Sequence, residues 1–246
     1  MIKRGVQGLL KQFGYRLARA NDSVVPNCGL NNFFPLLKKF GFDPEHVLDV
    51  GANHASFTRE AANYFPRAHY TLVEPQEQLR VHVQDLIDRG LHIHWINAGA
   101  SDQAGILPLY IIGSDQSSTF LQVPRTERNS VRTVEVPLRT LNEIVASSGL
   151  PVPAMVKIDA EGLDLKVLAG ASELVGKTEI FLMEASIGQS DFTNTALAVI
   201  EKMSQAGYRL IDITDMNRSP SHGVLWLCEF VFLRTGSKLL DSAARY

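Results

Sequence analysis

From about residue 31 onward, short apolar runs alternate with amphipathic stretches along this chain. Runs near 47–50, 69–73, 92–97, 154–158, 179–184, 208–213 and 225–233 read as strands, while segments near 56–65, 76–89, 163–175 and 194–206 place apolar residues at helical spacing. Asn31 or Asn32 is positioned to cap a helix running to about Phe40, closed by Gly41 and Pro44 before the first strand. Such alternation predicts an α/β fold with a largely parallel, doubly wound sheet, which binds ligands at the carboxyl ends of its strands. One segment breaks the rhythm. Between Gly105 and Arg139, the runs 106–112 and 131–136 read as strands flanking a polar stretch from Gly113 to Ser130. We expect a β insertion over about 105–139, acting either as a substrate-facing lid or as surface irregularity.

The first twenty residues have a different character. Ile2, Val6, Leu9, Leu10, Phe13 and Leu17 fall on one side of a helix, and Lys3, Arg4, Lys11, Arg16 and Arg19 add positive charge with no acid to offset it. A basic amphipathic helix of this kind suits either peripheral contact with anionic lipid at the inner membrane surface or packing over the core as a cover. Gly5, Gly8 and Gly14 weaken it. Residues 1–30 are thus expected to form a helix and linker, and residues 31–246 the main domain.

With 246 residues, 45% of them apolar, the chain is long enough for one substantial core. A net charge of -2 and the lack of a basic block with interleaved aromatics in the body of the chain argue against nucleic acid as a partner. Cys28 and Cys228 lie far apart without metal-site spacing, which suggests reduced thiols and a cytoplasmic setting. No apolar run reaches the ~18 residues of a membrane span. The best candidate, Val224 to Leu233, is interrupted by Glu229.

Candidate chemistry concentrates at two strand ends. Val47-Leu48-Asp49-Val50-Gly51-Ala52-Asn53 carries an apolar run into an acid and a small-residue turn, after which a helix is expected. Gly51 permits backbone dihedrals closed to other residues and a close ligand approach. A dinucleotide fingerprint would need glycine where Asn53 and Ser56 stand, so a pyrophosphate is poorly served, whereas S-adenosylmethionine, with a cationic sulfonium and no phosphate, suits a site that begins with an acid. Roughly 20 residues further on, Glu74-Pro75 ends the second strand, where an acid accepts hydrogen bonds from ribose hydroxyls. The end of the third strand, 97–102, is placed to meet an adenine edge, with Ser101 or Asp102 as acceptors for its amino group. The other constellation is Met155-Val156-Lys157-Ile158-Asp159-Ala160-Glu161-Gly162, a buried strand ending in two carboxylates, beside the expected end of the next strand at Glu184. Asp159 or Glu161 is a candidate general base for deprotonating a hydroxyl. Alternatively the two hold a divalent metal together with Glu184, or Lys157 pairs with one acid while the other caps the following helix. His222, in a polar loop before the last strand, and His54, in the glycine turn, are weaker candidates to face an acceptor.

Asp49-Val50-Gly51-Ala52-Asn53, Glu74-Pro75, the run from Lys157 to Gly162, and Val167-Leu168-Ala169-Gly170-Ala171 together resemble the FkbM-type methyltransferases, a family of S-adenosylmethionine-dependent O-methyltransferases. The resemblance spans about Val47 to Glu184. It implies a Rossmann-like methyltransferase fold, with a seven-stranded, mostly parallel sheet and an antiparallel last strand. It also implies S-adenosylmethionine as cofactor and methyl transfer to a hydroxyl of a sugar, glycan or glycolipid, or alternatively of a polyketide or macrolide. By that matching Asp49, Gly51, Asn53 and Glu74 belong to the cofactor site, with His54 in the same turn, and Asp159 and Glu161 to the catalytic end, where Asp159 also approaches the cofactor. The chain departs from the family in having His54-Ala55 where a further glycine is usual. An NAD-dependent reductase would share Glu74 but lacks its Tyr-x-x-x-Lys pair here. A non-catalytic methyltransferase-like module is the remaining alternative.

Overall fold

The computed structural model describes residues 29–112, 118–120, 131–188, 193–219, 221–239 and 241. The amphipathic helix expected over residues 1–20 and most of the polar stretch 113–130 lie outside the described residues.

Seven strands form the main sheet: β1 (His46–Val50), β2 (His69–Val73), β3 (His92–Ile96), β8 (Met155–Ile158), β9 (Ile180–Ser186), β10 (Tyr208–Arg218) and β11 (Leu225–Arg234). Their spatial order is β10-β11-β9-β8-β1-β2-β3, and β11 runs antiparallel between β9 and β10. β1 is buried along its whole length because it sits mid-sheet with helices on both faces, so Val47, Leu48 and Val50 are apolar and the buried His46 and Asp49 side chains hydrogen-bond to Thr71 and Thr58. On one face, Phe33, Phe34 and Leu37 of α1 (Leu30–Lys39) pack with Phe57 of α2 (Ser56–Tyr64) and with Phe65. Edge-on ring contacts of Phe34 with Phe57 and Phe65, at 5.6 and 5.9 Å, tie the two helices together. The other face is covered by α4 (Leu141–Ser148), α5 (Asp164–Ala169) and α6 (Ala196–Gln205).

The insertion builds a second sheet in the order β4-β7-β5-β6, from β4 (Gly99–Ala100), β5 (Gly105–Ile112), β6 (Ser118–Thr119) and β7 (Val131–Arg139). It is anchored by its own small core of Leu109, Ile111, Val136 and Leu138.

Several expected elements are redrawn. The stretch 76–89 is a 3₁₀ turn, Glu77–Val83, followed by the short α3 (Gln84–Asp88). The helix expected over 163–175 stops at Ala169. There Gly170 presses on the second sheet, and a Cβ on it would lie 2.1 Å from the Ser101 carbonyl oxygen. Asn31 and Asn32 fall inside α1, whose N-cap is Gly29 with no side-chain cap. β9 continues past Glu184 to Ser186, and β10 runs on to Arg218. Unanticipated α4 begins at a capping box, in which Thr140 Oγ1 accepts from Glu143 N (3.1 Å) and Glu143 Oε2 accepts from Thr140 N (3.0 Å).

Candidate active site

Strand register levels the carboxyl ends of the central strands. Val50 pairs with Val73 on one side and Ile158 on the other, Val73 pairs with Ile96, and Ile158 pairs with Met183. The next residues, Gly51, Glu74, Asp159 and Glu184, therefore share one rim. They line a cavity of about 630 Å³ that reaches from Ala98 to the β10–β11 hairpin.

The turn after β1 is built from left-handed residues: Gly51 (φ 75), Asn53 (φ 47) and Ala55 (φ 58). A Cβ on Gly51 would lie 1.7 Å from the carbonyl oxygen of Asp159, so glycine is what lets the two turns meet. Ala55, which replaces the customary glycine, takes that left-handed conformation and is fully buried, its small side chain held by packing. Glu74 lies against the turn. Its Oε2 accepts from Asn53 N and its Oε1 from Gln76 N, both at 2.9 Å. Glu74 lines the cavity, and each of its oxygens has capacity for a second hydrogen bond. Burial pushes the Glu74 carboxyl upward, and those two amides act against the shift.

At the other end, Lys157 is buried and its Nζ donates to Asp159 Oδ2 at 2.8 Å. Burial works against this ammonium, but Asp159, Asp49 and Glu229 outweigh it and hold Lys157 above the usual lysine range. Glu161 (φ 52) follows in the turn. Burial, then the charges of Asp159 and Asp164, pushes its carboxyl up to about 8. Glu184 is raised by the same burial and by Asp159, Asp164 and Glu161. It lies opposite Glu229 in the antiparallel β9–β11 register, and Glu229 Oε1 accepts from Thr214 Oγ1 at 2.6 Å.

The turn owes its shape to a residue that the sequence did not single out. Asp164, fully buried, accepts at Oδ1 from Ala160 N (3.0 Å) and at Oδ2 from Gly162 N (3.3 Å) and Asn194 Nδ2 (2.9 Å). It thereby bridges the amides on either side of Glu161. It is this acid, not Asp159 or Glu161, that secures the start of α5, while Lys157 pairs with Asp159. A polar residue immediately after the turn, where the helix begins, is the one sequence cue to it.

Of the residues expected in the site, Gly51, Asn53, His54, Glu74, Asp159, Glu161 and Glu184 line the cavity. Asp49 does not. Its side chain points beneath the turn, where Oδ2 accepts from Thr58 Oγ1 at 2.6 Å, so the direct ligand contact expected of it is replaced by support of α2 and the field at Lys157. Ser101 and Asp102 also miss the cavity: the Ser101 hydroxyl donates to Asp102 Oδ1, and Ala98, Gly99 and Ala100 form that end instead. His222 is exposed in the hairpin turn, accepting from Val224 N at 3.3 Å, away from the cavity. His54 stacks on His82 with ring centroids 4.0 Å apart. Among the described residues no three His, Cys, Asp or Glu side chains converge as a metal site, so Asp159, Glu161 and Glu184 do not form the metal triad considered above.

A seven-stranded sheet with a reversed last strand, a glycine turn after β1 and an acid after β2 defines the class of Rossmann-like, S-adenosylmethionine-dependent methyltransferases. The Methyltransferase FkbM domain matches residues 49–210, most of the chain, which therefore belongs to the FkbM methyltransferase family. Its methyl donor is S-adenosylmethionine. Among solved structures, the chain is similar to a methyltransferase FkbM from Methylobacillus flagellatus KT (14% identity, TM-score 0.47), covering 76% of this chain and 43% of that one. This chain thus spans less than half of that relative's length. A proposed rRNA-methylase from Clostridium thermocellum is similar over 86% of this chain and 98% of its own, with 10% identity and a TM-score of 0.50. A third is the 1,6-didemethyltoxoflavin-N1-methyltransferase of Burkholderia thailandensis, whose crystals hold S-adenosylhomocysteine; it has 12% identity and a TM-score of 0.44, covering 95% of this chain and 87% of that one. No curated protein matches the sequence.

Proposed function

We propose that the chain is an O-methyltransferase acting on a hydroxyl of a sugar, glycan or glycolipid. The observation that carries this reading is Glu161, a carboxyl at the cavity wall whose proton affinity is raised to about 8. A sugar hydroxyl is a weak nucleophile until its proton leaves, and a base poised near neutrality adds about 10²- to 10⁴-fold. Ionised Glu161 is a stronger base than an ordinary carboxylate. Asp159 has one oxygen engaged by Lys157, which suits it to orienting the acceptor rather than taking the proton.

Glu74, Gly51 and Asn53 would hold S-adenosylmethionine, which supplies an electrophilic methyl on a positively charged sulfur. Lys157 is the one Lys or Arg among the described lining residues, and it is paired, whereas Glu60, Glu74, Asp159, Glu161, Glu184, Asp215 and Glu229 all face the cavity. Such a wall offers a phosphorylated acceptor no unpaired cation among its described residues and favours an uncharged polyol over nucleic acid. Thr214, Asp215 and Asn217 of β10 add hydrogen-bonding groups at the acceptor end.

The test incubates the protein with methyl-labelled S-adenosylmethionine and fractionated extract of its source. Label should enter a carbohydrate fraction as an alkali-stable ether, and label confined to nucleic acid or protein overturns the reading. With the acceptor in hand, Glu161→Gln should lower turnover at least about 100-fold with little change in cofactor affinity, and Asp159→Asn somewhat less. Turnover within about twofold of the unmodified protein for Glu161→Gln removes it as the base.

A further inference from the structure

β6 belongs to the second sheet, yet it touches the catalytic turn of the first. Thr119 Oγ1 (3.3 Å) and Phe120 N (3.4 Å) both donate to the main-chain carbonyl of Glu161. Glu161 is a non-glycine residue in left-handed backbone, a conformation that persists only where its surroundings enforce it. Asp164 holds the amides of Ala160 and Gly162 on either side, so Thr119 of β6 and Phe120 just after it complete the restraint by donating to the carbonyl between them. The Phe120 ring meanwhile forms cavity wall beside Gly99, where a Cβ would come within 3.1 Å of its Cζ. Phe120 therefore meets the Ala98–Ala100 end of the cavity with its ring and the catalytic turn with its amide. Surface irregularity does not explain a segment bonded in this way.

We propose that Thr119 and Phe120 are positioning residues for Glu161: the inserted sheet grips the Glu161 carbonyl, sets the direction of its carboxyl into the cavity, and ties that direction to the wall at Gly99. The inference rests on Glu161 serving the reaction as proposed above. Its local field comes from Asp159, Asp164, Glu74 and Glu184 on the acidic side and Lys157 on the basic side, all carried by other elements. Releasing β6 would therefore reach Glu161 through its orientation and its access to water, with those charges left in place.

The experiment follows the Glu161 carboxyl by ¹³C NMR titration of the full chain, with the signal assigned by its loss in Glu161→Gln. In the unmodified protein it should titrate near 8. Thr119→Val, which exchanges the donor hydroxyl for a methyl, and Phe120→Ala should each move the midpoint towards the ordinary glutamate range by about one unit, a tenfold change in proton affinity. Thr119→Ser should restore it. Affinity for S-adenosylmethionine, measured by calorimetry on Thr119→Val, should stay within about twofold. An unchanged Glu161 midpoint in folded Thr119→Val overturns the proposal, and Thr119→Val decides alone if Phe120→Ala fails to fold. Failure of the unmodified protein to bind S-adenosylmethionine would instead count against the cofactor site itself.

Discussion

Replacing Asp164 by Asn separates its charge from its shape. Folded Asp164 keeps its proton up to about 7, chiefly because it is buried, while an unfolded aspartate releases it near 3.8. A raised folded value stabilises fully below 3.8, and that contribution is lost as pH climbs to about 7. Over this window the unfolded chain gives up a proton that the folded chain retains, which costs about 1.4 kcal/mol per pH unit and roughly 4 kcal/mol in all. For a domain of this size that corresponds to about 3–6 °C in Tm per pH unit. Glu161 and Glu184 shift in the same direction and remain in the variant, but Asp164 contributes to both shifts, so the difference between the two proteins reads Asp164 together with its coupling to them. Thermal unfolding at pH 5, 6 and 7 should therefore show the unmodified protein losing Tm with rising pH more steeply than Asp164→Asn by that amount. Equal slopes would mean that Asp164 ionises as an ordinary aspartate and that the three hydrogen bonds it accepts overcome its burial.

Gly51→Ala should abolish S-adenosylmethionine binding by calorimetry, because its Cβ would overlap the Asp159 carbonyl at 1.7 Å and the backbone there holds φ 75; retained binding would show that the two turns can separate. Glu74→Ala should weaken cofactor affinity by about 1.5–3 kcal/mol if the carboxylate bonds the ribose, and an unaltered calorimetric Kd refutes that role. Lys157→Met should destabilise the fold by about 3–5 kcal/mol in urea titration, since Asp49, Asp159 and Glu229 would lose their shared buried cation. A loss below about 1 kcal/mol would show that those acids simply take up protons.

The strand tips were legible because a parallel sheet in register turns one-dimensional spacing into a shared rim: an apolar run followed by Gly51, Glu74 or Asp159 announces its place. Side-chain direction was less accessible. Asp49 stands two residues before Gly51 yet points beneath the turn, since alternation along β1 sends it towards Thr58. Asp164 escaped notice because its importance depends on Asn194, 30 residues away, and on two amides that only the folded turn brings together. The short α4 carries its signal openly in Thr140 and Glu143, a capping box that a search for helical periodicity alone passes over. His222 illustrates the reverse error, because a polar loop near a strand end gives no indication of which way the hairpin leans.

The reversed last strand divides responsibility within the cavity. The groups proposed to hold the methyl donor ride on parallel strands and the turns after them, where the Asp159 main-chain carbonyl leaves no room for a side chain at Gly51. The groups proposed to face the acceptor, Thr214, Asp215, Asn217, Cys228 and Glu229, ride on a hairpin that, among the described residues, joins the rest of the sheet through the pairing of Leu227–Leu233 with β9. Substitutions in the hairpin, other than at Glu229, which shares Lys157 with Asp49 and Asp159, can therefore recontour one half of the chamber while the other half stays intact. If the hairpin faces the acceptor as proposed, a lineage built on this plan is free to change what it methylates without relearning how to hold its methyl source.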